Sequence, residues 1–170
     1  MEKNAEQTVS THKAHIIMGV MGEENIKEKE KLLVKISSSC LKQHNAIALC
    51  SNGAVYEPQF YIETSEMINT ENFPILNSIW FGIYSDKNKK VFYTYGLYRF
   101  GYKEIEIYSD MNSNMKELHT LIVEITAHVI NNDIELHNGE TIGLSAEQKL
   151  KITESKGIAL DGITLKIDAK

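Results

Sequence analysis

The chain has 170 residues and a formal net charge of −5, with 42% hydrophobic and 24% charged residues. These proportions are typical of an ordinary globular domain, so they exclude collagen-like, disordered and disulfide-framework proteins. No apolar run approaches the roughly 20 residues needed to span a bilayer. An acidic chain without a basic stripe is also poorly suited to neutralising phosphates. We therefore predict that the protein binds neither nucleic acid nor a membrane.

The two cysteines, Cys40 and Cys50, fall in a predicted helix and a predicted strand. Two cysteines do not make a disulfide framework, and no second thiol pair is present for a zinc site. Both are expected to be small core residues. The first residues lack a basic segment followed by an apolar one, so the sequence predicts no secretory signal and a cytoplasmic location.

The first part of the chain predicts a strand, a helix and a second strand. Residues 1–12 are polar and are expected to form a flexible tail, with residues 13–170 forming a single domain. The short apolar run 15–20 and the unbroken apolar run 46–50 are typical of buried strands, the second one central. Between them, residues 26–43 predict an amphipathic helix. Its expected buried stripe is Leu32, Leu33, Ile36, Cys40 and Leu41.

The second part predicts a meander followed by a helix. Residues 78–85, 91–98 and 103–108 are aromatic or β-branched runs joined by short turns, which indicates an antiparallel meander. A helix is predicted over 113–131, and 150–153 and 163–167 are expected to be strands. The apolar stripe of the helix is Leu118, Leu121, Ile122, Ile125 and Val129. The predicted fold class is α+β, with one antiparallel sheet packed against two main helices.

Two motifs in the second half resemble those of a known family. Residues 95–107 read YGLYRFGYKEIEI, and residues 137–143 read HNGETIG, followed by Ser145-Ala146-Glu147. With a helix between them, they resemble the bacterial domain-of-unknown-function 4261 family. That family's pattern is Gly-Leu-x-x-Phe/Leu-Gly-x-x-Glu-Ile-Glu and then Gly-Glu/Asp-Thr-Ile-Gly.

The resemblance covers about residues 78–168, and residues 14–60 look similar to the leading half of longer members. The sequence departs from the pattern at Tyr102-Lys103, where small residues or proline are commoner. The resemblance implies a bacterial α+β domain and no established reaction. Related domains occur in toxin, immunity and secretion neighbourhoods, which is an association and not a mechanism.

Glu104 and Glu106 are the first candidates for a functional role. Residues i and i+2 of a strand point to the same face, so the two carboxylates are expected roughly 6–7 Å apart. Three interpretations are open: a solvated sheet face, an acidic patch for a basic partner, or a pair for cation binding or acid-base chemistry.

The aromatic residues of the meander are the second candidates. Tyr93 and Tyr95 share one face of their strand, and Trp80 lies in the strand before. One face must pack on a helix, so rings on the other face are expected to be exposed, and Tyr and Trp commonly anchor protein interfaces. The alternative is that these rings are core residues or cross-strand pairs.

No histidine, serine or cysteine pattern indicates a nucleophile, a base pair or a metal cluster, so no catalytic residue, metal ligand or cofactor is predicted. The leading hypothesis is a non-catalytic protein-binding domain, such as an immunity or accessory protein that binds and neutralises a basic toxin or effector. One alternative is a small hydrolase or metal-dependent enzyme that uses the two glutamates. Another is a structural subunit of a homo-oligomer.

Overall fold

Helices dominate the first part of the chain and a sheet dominates the second. The structure, a computed structural model, describes residues 5–23, 25–70, 72–85, 89–145 and 147–169, with the side chains of residues 5–7 and 69 outside the description. Its contacts divide the chain into two compact units, Met1–Ser78 and Ile79–Lys170. Each unit is described by itself below. The predicted α+β class is confirmed.

The first unit combines helices with a two-stranded hairpin. Its elements are α1 (Ala5–Ser10), α2 (Ile26–Leu41), β1 (Leu49–Ser51), β2 (Ala54–Tyr56), α3 (Pro58–Ser65), a 3₁₀-helix (Glu66–Thr70) and α4 (Ile75–Ser78). Helix α2 begins where the side chain of Asn25 accepts a hydrogen bond from the backbone N–H of Lys27. Such N-caps satisfy donors that a helix end otherwise leaves unpaired. Helix α3 begins similarly at Glu57.

Both strands predicted in this unit differ from the structure. Residues 15–20 form no strand, and the side chains of Ile16 and Ile17 are 78% and 89% exposed. The run 46–50 is not a buried central strand either, because only Leu49–Ser51 pairs, and it pairs with β2 alone. Cys50 is exposed rather than in the core. An apolar run shows that a strand is possible, but a central position requires a partner strand on each edge, which β1 does not have.

Helix α2 is confirmed, but its expected buried stripe is wrong. Leu32 and Ile36 are exposed, and of the five stripe residues only Leu41 is buried. The buried residues of α2 are Glu30, Val34, Ser37, Ser38 and Leu41. The helix contacts α3, where the hydroxyl of Ser65 donates to that of Ser38 at 2.9 Å. Small hydroxyl residues can therefore form the buried side of a helix when a polar partner faces them.

The second unit is a six-stranded sheet with one long helix. Its elements are β3 (Trp80–Ser85), β4 (Lys89–Tyr95), a 3₁₀-helix (Leu97–Phe100), β5 (Ile105–Asp110), α5 (Met115–Asn132), β6 (Thr141–Ile142), β7 (Leu150–Lys156) and β8 (Ile163–Asp168). The strand order is β3-β4-β5-β8-β7-β6. The predicted meander and both later strands are confirmed.

The prediction of a wholly antiparallel sheet is wrong at one pair of strands. Strands β5 and β8 are parallel, and the other neighbours are antiparallel. Parallel neighbours need a long crossover, and here it contains α5, β6 and β7. The sequence pattern of β8 is compatible with either direction, so only the tertiary structure decides it.

Helix α5 packs on one face of the sheet, as the sequence predicts. The ring of His119 lies 6.1 Å from that of Phe81 and 6.4 Å from that of Phe92, centroid to centroid. The helix begins at Asn114, whose side chain accepts from the backbone N–H of Lys116. Its buried apolar residues are Leu118, Leu121, Ile122, Ile125, Val129 and Ile130. The predicted stripe is therefore confirmed.

Candidate functional site

The sheet face opposite α5 carries most of the aromatic side chains of the meander. In the antiparallel register Trp80 lies opposite Tyr95, and Gly82 lies opposite Tyr93. Phe92 and Thr94, on the other face, are 1% and 0% exposed. The predicted sharing of a face by Tyr93 and Tyr95 follows from this register. We call Trp80, Tyr84, Tyr93, Tyr95 and Tyr108 the aromatic face.

The ring of Tyr93 packs over a glycine in the neighbouring strand. A Cβ added at Gly82 would lie 2.1 Å from Cζ of the Tyr93 ring, closer than any real contact. The ring therefore occupies the space above Gly82, and Tyr93 is half-buried. Glycine in a strand commonly marks such a close approach.

Tyr95 and Tyr98 form an exposed aromatic pair at the end of β4. Their side chains are 41% and 59% exposed, and the rings meet edge to face with centroids 5.9 Å apart. This separation and angle are typical of favourable aromatic pairs. Trp80, the third aromatic candidate, is half-buried beside Tyr95.

Glu104 organises the turn that carries Tyr98. Its carboxylate accepts hydrogen bonds from the backbone N–H of Gly96 at 2.8 Å and of Tyr98 at 3.3 Å. It also accepts from the hydroxyl of Thr94 at 2.6 Å. That hydroxyl in turn accepts from the backbone N–H of Ile105 at 2.9 Å. Glu104 therefore caps the 3₁₀-helix Leu97–Phe100, which has no capping side chain of its own.

Glu106 is fully buried and organises a second loop, between β7 and β8. Its two carboxylate oxygens accept hydrogen bonds of 2.8–3.1 Å from the backbone N–H groups of Ile158, Ala159 and Leu160. Successive N–H groups of this kind form a concave anion-binding site, called a nest. Gly157 precedes them, and a Cβ there would lie 2.1 Å from the carbonyl oxygen of Leu160.

Of the three interpretations, a solvated pair of carboxylates on one sheet face does not fit the structure. Glu106 is inside the protein, and Glu104 lies before β5 and is half-buried among backbone donors. Both carboxylates accept hydrogen bonds from backbone N–H groups in loops of the same chain. Whether either residue contributes to a partner interface stays a prediction.

This arrangement gives the first sequence motif a physical meaning. Gly96 and Gly101 flank the 3₁₀-helix with φ values of 119° and 86°, a region that L side chains rarely adopt. Leu97 and Ile105 are buried in the core. The two glutamates of Glu-Ile-Glu then fix the loop between β4 and β5 and the loop between β7 and β8.

The second motif forms a turn. Gly139 has a φ of 92°, and its N–H donates to the carbonyl of Ile152 at 2.9 Å. The side chain of Glu140 accepts from the backbone N–H of His137 at 2.8 Å. A Cβ at Gly143 would lie 2.0 Å from the carbonyl oxygen of Gln148. The two glycines of this motif therefore allow a tight turn and a close approach between backbone segments.

A cavity of about 220 Å³ lies beside Tyr98, between the turn after β4 and the end of α5. Tyr102 and Lys103, which follow this turn in the chain, also line the cavity. The remaining lining residues are Gly101, Ile105, Val129, Glu135, Leu136 and Leu165. Sequence reasoning missed this cavity. The signal that could have found it is the departure from the family's pattern at Tyr102-Lys103, because both of these residues form its wall.

The pKa values of two tyrosines, Tyr102 and Tyr108, are raised. Partial burial raises the pKa of Tyr102 above its usual value, and the hydrogen bond to Asp133 and the negative charges of Asp133 and Glu135 raise it further. The phenol donates to that aspartate at 3.1 Å. Burial, followed by the charge and hydrogen bond of Asp168, likewise raises the pKa of Tyr108. In both cases the neutral phenol is favoured in the folded state.

Among the residues that the structure describes, no group of three or more His, Cys, Asp or Glu side chains is placed to hold a metal ion. Within the same part of the chain, no helix has the length and apolarity needed to cross a bilayer.

The fold and these loops define a small α+β domain with a mixed six-stranded sheet and one covering helix. Residues 93–168 match the family model for a domain of unknown function, DUF4261. The predicted resemblance is thus confirmed over this part of the chain, from the middle of β4 to the end of β8. No curated protein and no solved structure matches the chain.

Proposed function

We propose that this chain is a cytoplasmic, non-catalytic protein-binding domain of a bacterium. In this proposal it acts as an immunity or accessory protein that binds and neutralises a toxin or secreted effector. The exposed pair Tyr95–Tyr98 is the observation that carries the proposal. Tyrosine is enriched at the centres of protein interfaces because it buries much area with few rotatable bonds.

The rigidity of this pair supports a binding role. Glu104 fixes the backbone at Tyr98, and the antiparallel register fixes Tyr95 beside Trp80. A surface that is already ordered loses little conformational entropy when a partner binds. The net charge of −5 adds long-range attraction for a basic partner, which raises association rates.

The enzyme alternative rested on the two glutamates as an open carboxylate pair. Glu106 is fully buried and accepts from three backbone N–H groups, and Glu104 accepts from two. This geometry gives that alternative no support. The protein-binding proposal uses neither carboxylate directly.

The test is capture of a partner by the tagged full chain from the source bacterium, followed by affinity measurement with the purified partner. We expect one stoichiometric protein whose affinity falls at least about tenfold in the Tyr95→Ala/Tyr98→Ala variant, as for interface hot spots. Tyr84→Ala, at the other end of the aromatic face, is the matched control. Co-expression should then relieve any toxicity of that partner. An affinity that is unchanged in the double variant would refute the proposed surface.

A structural homo-oligomer subunit is the second candidate, favoured by an observation in the first unit. Ile16, Ile17 and Met21 are 78%, 89% and 95% exposed, although their segment is strongly apolar. Exposed apolar segments of this kind favour association. Light scattering of the wild type and of an Ile16→Ser/Ile17→Ser variant tests the homo-oligomer role. The wild type should be an oligomer that the variant weakens, and a monomeric wild type excludes this role.

A further inference from the structure

The cavity beside Tyr98 has the size of a subsite for one side chain. Its volume of about 220 Å³ is below the roughly 300–1,000 Å³ of small-molecule sites. Its floor is apolar, because it is formed by four buried aliphatic side chains, those of Ile105, Val129, Leu136 and Leu165. A guest in this cavity must therefore be short and must carry an apolar portion.

The wall and the rim add aromatic and acidic groups. Tyr98 and Tyr102 line the wall, and Glu135 is exposed at the rim. Lys103 also lines the cavity, but its ammonium lies 2.9 Å from the carboxylate of Glu154 and is neutralised there. The phenol of Tyr102 is similarly engaged with Asp133.

Among the described residues that line the cavity, the charged ones are Glu135 and Lys103. Lys103 is paired with Glu154, which leaves the exposed carboxylate of Glu135 at the rim, and Asp133 accepts a hydrogen bond from the Tyr102 phenol. The raised pKa of Tyr102 has the charges of Asp133 and Glu135 among its causes, which agrees with a negative potential at the cavity wall. An apolar floor, tyrosine rings and a negative rim together suit a side chain that is aliphatic along its stem and cationic at its end.

We propose that this cavity is the subsite for a lysine or arginine side chain of a protein partner. The aliphatic stem lies on the apolar floor, and the cationic group lies at the rim beside the tyrosine rings and Glu135. This inference rests on the proposed function and specifies the residue type that the partner presents. It also agrees with the net charge of −5, which favours basic partners.

The experiment titrates the isotope-labelled full chain with single-residue probes and follows its backbone amides by NMR. The cationic probes are N-acetyl-arginine amide and N-acetyl-lysine amide, and the neutral probes of similar shape are N-acetyl-citrulline amide and N-acetyl-norleucine amide. We expect the amides of Gly101, Tyr102, Lys103 and Leu136 to shift, with the cationic probes binding about threefold or more tightly than the neutral ones.

Variants assign the effect to the rim and the wall. Glu135→Gln should remove the preference for the cationic probes, and Tyr98→Ala should weaken every probe. Glu124→Gln, a substitution of an exposed glutamate on α5, is the matched control and should bind as the wild type does. Higher salt should reduce the preference, because the rim is exposed.

Two results would overturn the inference. One is equal or tighter binding of the neutral probes, which would make the cavity a purely apolar subsite. The other is the absence of shifts at the cavity amides with all four probes. Neither result depends on the partner captured for the proposed function. An unchanged partner affinity of the Tyr95→Ala/Tyr98→Ala variant would refute the proposed surface whatever the probes show.

Discussion

The carboxylate of Glu106 in β5 accepts a hydrogen bond of 2.9 Å from the backbone N–H of Ala159, 53 residues later in the chain. This bond and its neighbours from Ile158 and Leu160 fix the loop that precedes β8. Strand β8 is the parallel neighbour of β5, so the same glutamate lies where the parallel pair begins. The second glutamate of the Glu-Ile-Glu motif is therefore a structural anchor.

Removal of this anchor should be strongly destabilising. Glu106→Ala leaves three backbone N–H groups without their charged acceptor, and we expect the free energy of unfolding to fall by about 3 kcal/mol or more. Urea unfolding followed by circular dichroism measures the change. Glu147→Ala, an exposed glutamate replaced in the same way, should change it by no more than about 0.5 kcal/mol. Equal stability of the two variants would show that the nest does not stabilise the fold.

Gly82 and Tyr93 should be energetically coupled. Gly82→Ala places a Cβ 2.1 Å from Cζ of the Tyr93 ring, so the ring must shift, at a cost of about 1–3 kcal/mol. Tyr93→Ala removes the obstacle, and Gly82→Ala should then be nearly neutral. Thermal or urea unfolding of both single variants and the double variant gives the coupling energy. Additive effects would mean that the ring does not depend on the glycine.

Stability should fall in alkaline solution through two tyrosines. Because the folded protein raises the pKa values of Tyr102 and Tyr108, the unfolded chain loses these protons first as the pH rises. The unfolded state then binds fewer protons, so the free energy of unfolding decreases with pH above about 10 and is unaffected by these groups below it. A Tyr102→Phe/Tyr108→Phe variant should show a shallower alkaline decline in urea titrations. A decline as steep as that of the wild type would assign the effect to other groups.

Leu121 should be essential for the packing of α5. Its side chain is 5% exposed, and Leu121→Asp would bury an unpaired carboxylate between helix and sheet. We expect this variant to lose its cooperative thermal transition. Leu144→Asp, at a leucine that is 47% exposed, should melt as the wild type does. A cooperative melt of Leu121→Asp at the wild-type temperature would contradict the packing described here.

The sequence predicted the second unit far better than the first. The helical period of α5 and the alternation in β3, β4 and β5 are strong local signals. In the structure α5 buries its apolar stripe, and the three strands pair with one another as neighbours. In the first unit the same signals predicted helix α2 but neither its buried side nor the strands. The apolar run 15–20 has no paired strand, and α2 buries serines in place of Leu32 and Ile36.

The sequence by itself determined the class of fold, the meander of strands, the long helix with its buried stripe and the resemblance of residues 93–168 to a known family. These features depend on local periodicity and backbone freedom, which a sequence displays directly. Only the tertiary structure decided the direction of β8, the burial of Glu106 and the cavity beside Tyr98. Each of these depends on contacts between residues far apart in the chain. Alternation placed Glu106 on a face of its strand, but it could not show that a loop 52 residues later supplies the donors that bury it.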